Sequence, residues 1–129
     1  MYNRTMLEVS DEQFDDIISK AMDSLPKGHM AAIKNVAIVY EDEPTELQRQ
    51  ELQLQCHQTL FGLYQGVPLA RRHGAINSYP PDKITIFKRP MLAYVNSLSE
   101  LEEQVRHTLW HEVAHYFGLN HDQIHKLER

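Results

Sequence analysis

The stretch SLSELEEQVRHTLWHEVAHYFGLNH, residues 97–121, constrains this chain more than any other part of it. Leu101, Val105, Leu109 and Val113 repeat every four residues, which predicts a helix over 97–117 with one core face. Ser97 with Glu100, or Ser99 with Glu102, supplies a capping box at its start, and Gly118 ends it. On such a helix His111 and His115 stack one turn apart on a single face. Two imidazoles so arranged can bind one metal ion without bending the backbone. Glu112 adjoins the first of them, where a carboxylate can take a proton from water held at the metal. Gly118 accepts the left-handed conformation that doubles the chain back, so His121 can supply a third ligand. Three nitrogens and an open fourth position describe a catalytic zinc. A structural zinc normally takes four protein ligands, often cysteines, and this chain has one cysteine, Cys56.

Other registers stay open. His107, His111 and His115 form a stripe, so a His107/His111 pair is also geometrically sound. Glu112 and Gly118 favour the His111/His115 register and leave His107 as a cleft-lining or solvated residue. Asp122 or His125 could replace His121 as third ligand. His29, His57 and His73 sit in loop-like contexts and read as surface residues, and Cys56 as a small buried hydrophobe. Tyr64, His73, Tyr79 and Tyr116 are candidate donors to a developing oxyanion, with nothing in the sequence to choose among them.

The rest of the chain reads as scaffold. Ser10 and Gln13 fit a capping box, followed by Phe14, Ile17, Ile18, Ala21, Met22 and Leu25 at helical spacing; Pro26 and Gly28 stop this packing helix. NVAIVY, 35–40, reads as a buried strand. Residues 45–60 read equally as a short helix or an ordered loop, and 61–81 as loop chemistry with room for a short strand. DKITIFKR, 82–89, alternates as a second strand. Its Lys83, Lys88 and Arg89, followed by Pro90, look like the devices that blunt a sheet edge. An edge at Ile84–Lys88 could take up an extended peptide as an added strand.

These features together resemble the small zincin-like metallopeptidase domains of bacteria, or mini-zincins. The resemblance rests on NVAIVYEDEP, FGLYQGVPL, PDKITIFKRPML and LEEQVRHTLWHEVAHYFGL, and runs from the first helix to the C-terminus. It implies an α+β, compact zincin-like fold: a small mixed β-sheet, a backing N-terminal helix and an active-site helix carrying HExxH. It implies His111 and His115 as zinc ligands, Glu112 as general base and Gly118 as the turn. Many members carry Asp at the third-ligand position, where this chain has His121. A neutral third ligand leaves the site with more net positive charge.

The bulk numbers fit one soluble domain over 1–129: 42% hydrophobic and 24% charged residues, with a formal net charge of -5. An acidic balance argues against a nucleic-acid partner. The opening residues lack the apolar run of a secretory signal, and no run is long enough to span a membrane. The expectation is a cytoplasmic monomer or homodimer, acting on a peptide or protein with Zn2+. Two rivals stand beside it. One is a single-metal endoribonuclease of the rRNA-maturation type, which shares the histidine spacing but has Gly where this chain has Glu112. The other is a metal-containing binding module without catalysis.

Overall fold

The computed structural model describes residues 7–25, 36–55, 61–66 and 82–118. In chain order the elements are α1 (Asp11–Ser24), β1 (Val36–Glu41), α2 (Glu46–Gln55), β2 (Gly62–Gln65), β3 (Asp82–Phe87), α3 (Lys88–Tyr94) and α4 (Leu98–Tyr116). This is the expected α+β arrangement, with a small mixed sheet, a backing helix and a long helix carrying the histidines.

Both long helices start as the sequence predicts. Ser10 Oγ accepts from the Gln13 amide while Gln13 Oε1 accepts from the Ser10 amide, a complete capping box. Ser97, not Ser99, is the N-cap of α4, taking the Glu100 amide on its hydroxyl. The ambiguous stretch after Thr45 is helical for the same reason: Thr45 and Gln48 exchange amide and side-chain bonds of 2.8 and 3.1 Å. The predicted stop at Pro26 and Gly28 lies outside the described residues; Leu25 is the C-cap of α1.

The strands have the opposite standing from the one their sequences suggest. The sheet order is β1-β3-β2, parallel between β1 and β3 and antiparallel between β2 and β3. The DKITIF strand is therefore central, and five of its six residues are buried. NVAIVY is the edge, alternating between half-buried and exposed, with Val39 37% exposed. Of the residues that looked like edge protection, both lysines are engaged in ion pairs and Arg89 is held by its main chain. Lys83 pairs with Glu41 at 3.5 Å, Lys88 reaches Asp11 at 3.0 Å beneath the Phe14 ring, and the Arg89 amide donates to the Asp42 carbonyl. Lys88, Arg89 and Pro90 form the first turn of α3, where proline is tolerated because its missing N–H has no helical partner to lose. A central strand has no free ladder, so peptide addition at Ile84–Lys88 is excluded.

Ile84 and Ile86 face the helices. They share one core with Phe14, Ile17, Ile18 and Ala21 of α1 and Leu101, Val105, Leu109 and Val113 of α4. Leu63 and Phe87 form a second buried pair. Covered on both sides, β3 reads as continuous apolar burial rather than alternation. No described helix is long and apolar enough to cross a membrane.

Candidate metal centre

Two successive turns of α4 carry His111 and His115, with ring centroids 5.1 Å apart and planes inclined at 69°. One donor atom from each of His111, Glu112 and His115 lies within 4.8 Å of the others. His111 and Glu112 are buried and His115 is half-buried. Among the described residues this is the one group of histidine, cysteine and carboxylate side chains so placed. The donors fit a divalent metal: imidazole nitrogen with an adjacent carboxylate, in a spot where an exposed acidic cluster cannot explain them. The structure thus brings His111 and His115 together with Glu112, in the arrangement that the four-residue spacing predicts. His107, one turn earlier, is exposed and lines a groove with Tyr94, Glu100 and Glu103 instead.

Helix α4 closes as expected. Phe117 is the C-cap, the Gly118 amide donates to the His115 carbonyl at 2.9 Å, and Gly118 has φ 83°. A residue with a Cβ would be strained there. His121, Asp122 and His125, the candidates for the third ligand, lie outside the described residues, as do His29, Cys56, His57, His73 and Tyr79.

Strand β2 supplies what the sequence did not show. The Phe87 amide donates to the Phe61 carbonyl at 2.8 Å, which sets the alternation of the antiparallel ladder. Leu63 then faces β3 with its main-chain groups, while those of Gly62 and Tyr64 point away from it. The outward Tyr64 N–H donates to Glu112 Oε1 at 2.8 Å. Gly62 makes this approach possible: a Cβ there would sit 2.6 Å from Thr108 Cγ2 and 3.3 Å from Glu112 Cγ. The FGLYQG segment thus carries its glycine at the point where strand and metal helix touch.

Burial pushes the Glu112 carboxyl up to about 8, with the Tyr64 amide pulling the other way. Of the candidate oxyanion donors, Tyr64 is 3% exposed and gives its hydroxyl to Asp82 Oδ2 at 2.6 Å. Tyr116 is 1% exposed and packs edge-on against the Tyr64 ring at 6.1 Å. Both rings belong to the core.

The model of the family described as zincin-like metallopeptidase matches residues 33–129. That span takes in the sheet, α2, α3 and the whole histidine helix, but not α1, so the family likeness is shorter than the sequence resemblance implied. No curated protein matches the chain. The match covers well over half of the sequence and includes the buried histidine-glutamate group, and the chain therefore belongs to the zincin-like metallopeptidase family.

Proposed function

We propose that the protein is a zinc peptidase in which His111, His115 and His121 hold the ion and Glu112 is the general base. The observation that carries this reading is the convergence of the His111, Glu112 and His115 donor atoms within 4.8 Å on one helix. When bound, zinc supplies a Lewis acid that acidifies water and polarises a carbonyl. The chain's own residues do the rest. His111 and His115 would fix the ion against one face of the helix, and Gly118, at φ 83°, allows the turn that His121 needs to join them. With Glu112 Oε1 held by the Tyr64 amide, Oε2 is the oxygen that takes a proton from the attacking water and passes it to the leaving amine. Burial alone raises this carboxyl, and a bound dication beside it would favour the charged form that acts as a base.

The substrate class is a peptide or protein. A groove of about 590 Å³ lies between the end of α3 and the first half of α4, and it is the surface we assign to an extended chain. Its wall includes Tyr94 and Val95 on one side and Gln104 and His107 on the other, one turn before His111. The endoribonuclease alternative fits less well, since its glycine position is occupied here by a buried carboxylate.

The test is metal analysis with a cleavage assay on fluorescein-labelled casein. Wild type should bind about one zinc and lose cleavage with chelator. His115→Ala should lose the metal. Glu112→Gln should keep it and lose activity by about 10²–10⁴-fold. Equal cleavage by Glu112→Gln and wild type would leave only a binding role for the site.

A further inference from the structure

Resting on the reading of Glu112 as general base, we propose that Tyr64 and Asp82 are positioning residues for that base. Their buried hydrogen bond fixes β2 where the Tyr64 main-chain N–H holds Glu112 Oε1.

The strand needs such a fixture. β2 is four residues long and, among the described residues, pairs with β3 alone. A short edge ladder frays and can slip, and its register is weakly specified by hydrogen bonds alone. Three further contacts pin this one. Tyr64 stands opposite Ile84, so its ring lies on the same face as the Asp82 side chain, one step along the central strand. The Tyr64 hydroxyl reaches diagonally to Asp82 Oδ2 at 2.6 Å, and Asp82 is 1% exposed. Gly66 crosses the same carboxyl so closely that a Cβ would fall 2.3 Å from Asp82 Oδ1. The ring itself packs edge-on against Tyr116, one residue past His115 on α4.

One residue thus faces two ways. Its side chain is anchored to the central strand and leans on the metal helix; its amide reaches the carboxylate on that helix. Tyr64 cannot shift along β3 without breaking the Asp82 bond, and while that bond stands, the amide stays within 2.8 Å of Glu112. Misplacing a catalytic group by about 1 Å can cost on the order of a hundredfold in rate, so an anchor this far from the reacting atoms can still act on them.

The experiment measures hydrogen exchange at the Tyr64 amide by NMR, in chelator-treated and zinc-loaded protein, beside casein cleavage. In wild type the amide should be protected. Glu112→Gln retains an acceptor and should keep that protection. Glu112→Ala, Tyr64→Phe and Asp82→Ala should each speed exchange at Tyr64 by about tenfold, with the amides of Ile84 and Ile86 unchanged. In cleavage, Tyr64→Phe should lower kcat by about tenfold with KM and zinc content unaltered. Wild-type protection of the Tyr64 amide in Tyr64→Phe would overturn the proposal. So would equal loss of protection at Tyr64, Ile84 and Ile86, which marks a structural role alone. The exchange result does not depend on cleavage, so failure to cut casein would count against the peptidase reading and leave the positioning role to be judged by the amide.

Discussion

Along β1 the side chains alternate between half-buried and exposed, whereas three of the four residues of β2 are buried. Both strands flank β3 and, among the described residues, both are edges, yet they meet the edge problem differently. β1 keeps an amphipathic pattern with one face on the core and the other left outward. β2 lies against α4, and its outward amide is spent on a carboxylate rather than offered to another chain. Covering an edge with a helix is a general way to prevent unwanted pairing. Here the same cover brings a main-chain donor to the centre. A sheet edge can be generic where it meets the outside and highly specified where it meets a site.

The contrast can be tested by perturbing each edge. The largest effect should come from the charge of Glu112. Its folded-state value is raised from 4.5 to about 8. For a raised acid, stability is fully present below the unfolded value and is lost as pH rises through the folded one. The metal-free protein should therefore weaken between about pH 4.5 and 8 by a few kcal/mol and level off above that. Denaturant titrations of chelator-treated wild type and Glu112→Gln at pH 5, 7 and 9 measure this. The two should diverge as pH rises; parallel curves would show that the β2 side carries no buried-charge cost.

A methyl group on β2 should come next. Gly62→Ala should destabilise by about 1–3 kcal/mol through its clash with Thr108, and Thr108→Ser should recover part of that by removing Cγ2. Thermal melts of the single and double variants would check it, and full additivity would sink the contact explanation. The smallest effect belongs to β1. Val39→Thr, at an exposed position, should change stability by less than about 0.5 kcal/mol. A larger loss would mean that β1 is covered by something else in solution.

What the sequence discloses follows the same division. The helices are legible because their signals are local. Ser10 with Gln13, Ser97 with Glu100, and the four-residue repeat through Val113 each lie within a turn or two. Thr45 and Gln48 carry the same signature, obscured by the Gln-rich stretch that follows. The juxtaposition of His111 and His115 is legible because helical spacing alone fixes one against the other. The standing of the strands is not, because central and edge positions differ by partners far along the chain. Lys83 and Lys88 resemble edge guards until Glu41 and Asp11 are seen beside them. Their charge also conceals α3. The grip on Glu112 is the least legible feature, since its donor is a main-chain N–H, common to every residue but proline. Gly62 was the available hint, yet its partner Thr108 is remote in sequence.

Helix α1 lies before residue 33, where the family match begins, yet Phe14, Ile17, Ile18 and Ala21 lie in one cluster with Leu101, Val105 and Leu109 on the back of α4. Lys88 clasps it there through Asp11. The boundary drawn by kinship and the boundary drawn by burial are thus different lines. A fragment cut at the former would carry His111, Glu112 and His115 and still bare a greasy stripe behind it. Anyone trimming this protein for study should expect precipitation from the shorter piece, and should carry the first helix along.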